Sequence, residues 1–198
     1  MFKKSMGVLL FVVIFSLAAC SEKLPIETNM SESVDEFSYT NQDEENVALD
    51  DLSGDWWIAD FVFTNCTTVC LPMTSNMSKL QDDLKEEDIS IDFVSFSVDP
   101  DYDQPDVLKE YGEEYDANFD NWNFLTGYEF DDIKKISIKS FRAPLKEPEY
   151  GSDQVTHDTR FFLVNPDGKV VKGYDGIKME SMDDIVEDMK KLDEQGLM

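Results

Sequence analysis

The sequence predicts an α/β fold, a mixed central sheet with helices on both faces, and three observations carry that reading. Trp57–Phe63 and Ile91–Val98 are aromatic, β-branched runs of the kind that strands buried on both faces require. Between them Met73, Met77, Leu80 and Leu84 recur at helical spacing, so strand, helix and strand follow one another as a unit whose strands run parallel. Near the end, Phe161–Val164 and Lys169–Val171 flank Asn165-Pro-Asp-Gly168, which predicts an antiparallel hairpin in the same sheet.

Taken in order, Lys3 and Lys4 precede an apolar run from Val8 to Ala19 that is too short to span a membrane and has the layout of a secretory signal. It closes on Leu17-Ala-Ala-Cys20, which resembles a bacterial lipobox and implies cleavage after residue 19 with lipid attached to Cys20. Lipoproteins carry more than one acyl chain, enough for stable anchoring. The alternative is a signal peptide whose cysteine is incidental, or a short uncleaved anchor. Residues 20–36 are polar and acidic without periodicity, and are expected to form a flexible tether. The folded domain is then 37–198.

That domain opens with Phe37 and Tyr39, then Val47 and Leu49, alternating on either side of Asn41-Gln42-Asp43, an N-terminal hairpin extension. A turn around Gly54 leads into the Trp57 strand. Pro72 fits the first turn of the helix that follows. After the Ile91 strand, Asp103 is expected to cap a helix whose inner face is Val107, Leu108, Tyr111 and Tyr115. Trp122–Leu125 is a third strand, and Phe130, Ile133, Ile136 and Phe141 mark a helix stopped before Pro144. Residues 142–158 show no periodicity, as functional or mobile loops often do. Met182, Ile185, Met189 and Leu192 form the stripe of a last helix that Ser181 is expected to cap. The order of elements is that of a thioredoxin-like domain carrying insertions.

Composition removes several functions. With 17 Lys and Arg against 43 Asp and Glu, and a formal charge of -26, the chain has no basic surface for nucleic acid. The same charge repels anionic lipid headgroups, so membrane attachment falls to Cys20. An acidic surface of this kind suits a salty or alkaline habitat, a cationic partner face, or metal ions.

If lipid consumes Cys20, two thiols remain, Cys66 and Cys70, at the join between a buried strand and a helix N-terminus. Residues four apart share a helical face, and a helix N-terminus favours thiolate, the form that attacks disulfides and binds metal. A buried structural disulfide or two inert core cysteines are the plainer alternatives. His157 is the single histidine and ends the irregular loop. Lone histidines are more often hydrogen-bonded surface or core residues than ligands, but two thiolates and an imidazole together make a soft donor set with an incomplete shell. Structural zinc wants four ligands, and no fourth Cys or His is on offer; thiolates select copper(I), and an imidazole admits copper(II). Met73 and Met77 could add thioethers, although their helical spacing suits core packing better. Asp99, Asp101 and Asp103 could rim a metal, but are more simply a cap and solvated turn.

Phe63-Thr-Asn-Cys66-Thr-Thr-Val-Cys70, then Pro72-Met-Thr74, Phe93-Val-Ser-Phe-Ser-Val-Asp-Pro100, Thr126-Gly127 and the isolated His157 resemble the Sco/SenC proteins over about Phe37 to Met189. These are thioredoxin-fold factors that assemble cytochrome c oxidase. The resemblance implies that Cys66, Cys70 and His157 bind one copper ion. It also implies that the protein delivers copper to, or reduces, the two cysteines of the dinuclear copper centre in oxidase subunit II. It would be supplied by an unidentified donor of copper or electrons. A lipid-tethered form on the outer face of the cytoplasmic membrane is typical of Gram-positive bacteria. Two positions depart from pattern: Leu71 stands where proline usually follows the second cysteine, and Thr159 where thioredoxin-like oxidoreductases carry a cis-proline.

Three functions are expected to compete: a copper metallochaperone, a membrane-anchored thiol-disulfide reductase in which Cys66 and Cys70 cycle through a disulfide, and a cysteine peroxidase on a shared fold. The first makes the chain more a carrier than an enzyme.

Overall fold

The computed structural model describes residues 24–198, so the expected signal sequence and lipid-bearing Cys20 lie outside the described residues. Among the described residues seven strands and four α-helices, with a short 3-10 helix at Leu49–Leu52 between the second and third strands, follow the expected order. They are β1 (Ser38–Thr40), β2 (Asn46–Ala48), β3 (Trp57–Val62), α1 (Cys70–Glu86), β4 (Asp92–Ser97), α2 (Pro105–Glu114), β5 (Trp122–Leu125), α3 (Phe130–Phe141), β6 (Arg160–Val164), β7 (Val170–Asp175) and α4 (Glu180–Asp193).

The main sheet has five strands in the order β5-β4-β3-β6-β7. β3, β4 and β5 are parallel, and β6 and β7 return antiparallel. Alternation along each strand sends side chains to two cores. Ile58, Val62 and Phe93 meet α1, α2 and α4 on one face, while Trp57, Phe61 and Phe96 meet α3 and the opening hairpin on the other. Met73 and Met77 are fully buried in the first core, which settles them as packing residues. This is the expected mixed α/β architecture, with β3 central and its carboxyl end feeding the cysteine loop.

The hairpin docks on the far edge of the sheet. Thr40 and Thr126 exchange backbone bonds of 3.0 and 2.9 Å, and the N–H of Phe124 donates to Gln42 Oε1 at 2.9 Å. The edge strand β5 is thereby shielded from pairing with another chain.

Three local expectations need correction. The tether does not extend to residue 36: from Ile26 onward the chain is docked along β7, with Asn29 N–H donating to Val171 O at 3.1 Å and Val170 N–H to Glu32 O at 2.8 Å. Buried Ile26 and Val34 anchor it, and the free backbone groups of the β7 edge satisfy its own. Asp103 does not cap α2. The boundary residue is Gln104, Pro105 opens the helix, and the fully buried Asp103 carboxylate points back toward the cysteine loop. Nor does Ser181 cap α4, which starts one residue earlier with Met179 at the boundary and no side-chain cap.

The loop 142–158 is less irregular than its sequence. Arg142 takes the left-handed conformation at the end of α3, and Lys146 and Thr156 pair across the loop with bonds of 2.9 and 3.2 Å. That bridge folds the segment back on itself and delivers His157 to the end of the sheet where the cysteines lie.

Candidate metal centre

The cysteine loop leaves β3 as Phe63–Val69. Cys66 N–H donates to Phe63 O at 3.3 Å, closing a tight turn, and Cys70 is the first residue of α1. Its N–H, one of the donors a helix start leaves unpaired, points at Cys66 Sγ at 3.4 Å. The loop is held from below by Asp103, whose carboxylate accepts from Thr64 Oγ1 at 2.6 Å, from Thr64 N–H at 3.3 Å, and from Ser97 Oγ at 2.6 Å. Burial raises the pKa of that carboxyl, and the bonds from Ser97 and Thr64 oppose the rise.

His157 arrives from the other side. Its Nδ1 lies 2.8 Å from the carbonyl oxygen of Asp158, which can only accept, so Nδ1 carries a proton and Nε2 is the ring nitrogen left to face the cysteines and to coordinate a metal ion. Nε2 stands 3.3 Å from Cys70 Sγ, and the Phe63 ring meets the imidazole edge-on at 5.7 Å between centroids. Just beyond, Asp158 pairs with Arg160 at 2.7 Å, and Arg160 also donates to Arg142 O at 3.1 Å, fixing the segment that follows the histidine.

Cys66 Sγ, Cys70 Sγ and a ring nitrogen of His157 all lie within 4.8 Å of one another. Thiolate and imidazole bonds to a metal of roughly 2.0–2.3 Å put two donors on one ion at most about 4.5 Å apart. One ion therefore fits after sub-ångström adjustment. Among the described residues this is the one cluster of three such groups, and it contains no carboxylate. Asp99 and Asp101 stand apart from it, lining an open cleft of about 370 Å³ with Glu129, Asp131 and Glu147.

The two thiols are free and unequal. Hydrogen bonding from Cys70 pulls the Cys66 thiol well below the ordinary range, against the cost of burial, with His157 and the N–H groups of Thr68 and Cys70 helping. Cys70 is pushed the other way, first because it donates to Cys66 and then by burial. The pair thus favours the thiolate on Cys66 and the thiol on Cys70. Cys66 is 8% exposed and Cys70 1%, so the thiolate is also the more accessible sulfur.

Leu71 occupies the second position of α1 and is 51% exposed, so its side chain contributes little to the core. Thr159 accepts from Gly176 N–H at 2.9 Å through its carbonyl, and the described residues contain no cis peptide. Sequence reasoning missed three neighbours of the site: Asp60, Asp103 in its observed role, and Gln154. A lone acid inside the apolar run Trp57–Phe63 was the available signal for Asp60.

The sequence matches the SCO1/SenC family model over residues 26–194. It is 46% identical over 179 residues to the SCO1 protein homolog of Bacillus subtilis, covering 90% of this chain and 92% of that protein. Among solved structures it is similar to a SCO1/SenC family lipoprotein from Bacillus anthracis, with 46% identity and a TM-score of 0.80 over 86% of this chain and 99% of that one. It is also similar to BsSco, described as a member of the Sco family of cytochrome c oxidase assembly proteins and as having a disulfide switch (48% identity, TM-score 0.76, covering 83% and 95%). A more distant likeness is to Arabidopsis thaliana ScoI with copper bound (27% identity, TM-score 0.68, covering 79% and 98%).

Proposed function

Since the chain belongs to the SCO1/SenC family, we propose that it binds one copper ion through Cys66, Cys70 and His157 and serves the assembly of cytochrome c oxidase. Its target on this reading is the dinuclear copper centre of subunit II, to which it delivers copper from an upstream donor. The observation that carries the reading is the convergence, within 4.8 Å, of three soft donors from two segments far apart in sequence. Copper supplies a thiophilic ion that accepts a low coordination number. The protein supplies one sulfur already ionised, a second that gives up its proton on loading, and an imidazole whose tautomer the Asp158 carbonyl sets. His157 comes from a segment separate from the cysteine loop, so one of the three donors can move independently of the other two when an ion is handed to two acceptor cysteines. The test is copper retention by the reduced full-length chain in detergent. About one copper per chain is expected, with retention impaired in Cys66→Ser, Cys70→Ser and His157→Ala. Undiminished retention in His157→Ala would exclude the histidine.

A second reading rests on the inequality of the two thiols. A thiolate less buried than its partner thiol is the arrangement that attacks a disulfide and then resolves the mixed species, leaving a Cys66–Cys70 disulfide and a reduced partner. In that role the chain keeps the subunit II cysteines reduced, and an electron donor must regenerate it. Oxidase assembly that survives His157→Ala, with both cysteines still required, would favour the reductase over the carrier. In either role the domain stands on the outer face of the cell membrane, anchored through lipid on Cys20.

A further inference from the structure

The two segments that carry the ligands share no backbone hydrogen bond among the described residues, so side chains alone tie the 63–70 loop to the 146–158 loop. One side chain supplies most of these ties. Gln154 lies three residues before His157, and its Oε1 accepts from both the N–H and the Oγ1 of Thr67, each at 3.2 Å. Its Nε2 donates to the carbonyl of Asn65 at 3.0 Å. The residues it grips, Asn65 and Thr67, flank Cys66. Beside it, Asn65 Nδ2 donates to Asp153 Oδ2 at 2.8 Å, and the His157 ring itself approaches the cysteines, with Nε2 3.3 Å from Cys70 Sγ. The Gln154 amide is oriented by its neighbours, with Nε2 also donating to Asp153 Oδ1 and the backbone N–H to Ser152 Oγ, both at 3.0 Å.

We propose that Gln154 is a positioning residue that clasps the histidine segment onto the cysteine loop, and so governs how readily His157 joins and leaves an ion held by Cys66 and Cys70. This deepens the copper reading and rests on it. The clasp sits toward solvent, where its bonds exchange with water at little net cost, since an exposed hydrogen bond contributes a factor of roughly two to ten in an equilibrium. Such a tie is strong enough to bias the loop closed and weak enough for an arriving partner to open. No chemistry passes through Gln154; its effect on the metal runs entirely through the position of the imidazole.

The test follows copper(I) passing from the loaded full-length chain to a competing chelator, in the wild type, Gln154→Ala, His157→Ala and the double variant. Gln154→Ala is expected to hold one copper but release it about tenfold faster. In the His157→Ala background the same change should alter release less than about twofold, because the group it positions is gone. Gln154→Glu keeps the acceptor for Thr67 but sets a second carboxylate against Asp153 and the Asn65 carbonyl, so its release should be at least as fast as in Gln154→Ala. Equal acceleration in both backgrounds would overturn the proposal, as would an unchanged rate in Gln154→Ala accompanied by a lowered melting temperature. If the wild type retains no copper, the copper reading fails by itself, and alkylation of the reduced, metal-free chain decides the clasp. Faster modification of Cys70 in Gln154→Ala supports it, and an equal rate overturns it.

Discussion

Replacing Asp60 by asparagine should stabilise this protein at alkaline pH and scarcely at acid pH. Asp60 sits in the middle of β3, fully buried between Ile58 and Val62 on the face that meets α1. Its Oδ1 accepts from Ser95 Oγ at 2.6 Å, while Oδ2 has no hydrogen-bond partner among the described residues. Loss of hydration therefore dominates and lifts the pKa from 3.8 to about 7, with the Ser95 bond and then His157 opposing the rise. Between those two values the folded chain keeps a proton that the unfolded chain has lost. The unfolded state thus gains as pH rises, by about 1.4 kcal/mol per unit, until the folded carboxyl ionises as well. From pH 5 to pH 7 that amounts to about 2 kcal/mol, because the folded carboxyl is already half ionised at pH 7, and above about pH 8 the penalty is constant. An asparagine cannot ionise and escapes it. Urea unfolding of the reduced, metal-free wild type and Asp60→Asn at pH 5, 6, 7 and 8 measures the difference, with m checked for constancy. The series starts above the sequence pI of about 4.1 to avoid precipitation. A stability difference between the two proteins that stays flat across the series would refute the reasoning, and so would one that narrows as pH rises.

Two further outcomes are expected. Because Cys66 is held as thiolate and Cys70 as thiol, loading copper(I) at pH 7 should release about one proton per ion rather than two, measurable by calorimetry in buffers of different ionisation enthalpy; release of two would show that Cys66 rests as a thiol. If Cys20 carries the anchor, cells fed a labelled fatty acid should incorporate it into the wild type and leave Cys20→Ser unlabelled and shed from the membrane, while equal labelling of both would dispose of the lipobox reading.

Much of this molecule is written in short-range pattern. The unbroken apolar run Trp57–Phe63 specifies a strand buried on both faces, and the helical spacings of Met73–Leu84 and Met182–Leu192 specify helices that each bury one side, because a residue's side is set by its count along the chain. The same local logic marks the Cys66 and Cys70 pair, the Asn165–Gly168 turn and the acidic balance that excludes nucleic acid. What the tertiary structure alone decided are meetings between segments that no period links. The Lys146–Thr156 bridge turns an irregular loop toward the cysteines, and Asp103 grips Thr64 where a helix cap was expected. Gln154 closes on Asn65 and Thr67, and residues from Ile26 onward lie along β7 despite an acidic, tether-like composition. Each of these is a hydrogen bond between distant polar groups, and such a bond depends on where the backbone has already been brought by the packing of its apolar faces. A polar residue reads alike in a sequence whether it will face water or a partner, so its role appears only when the fold supplies the other half.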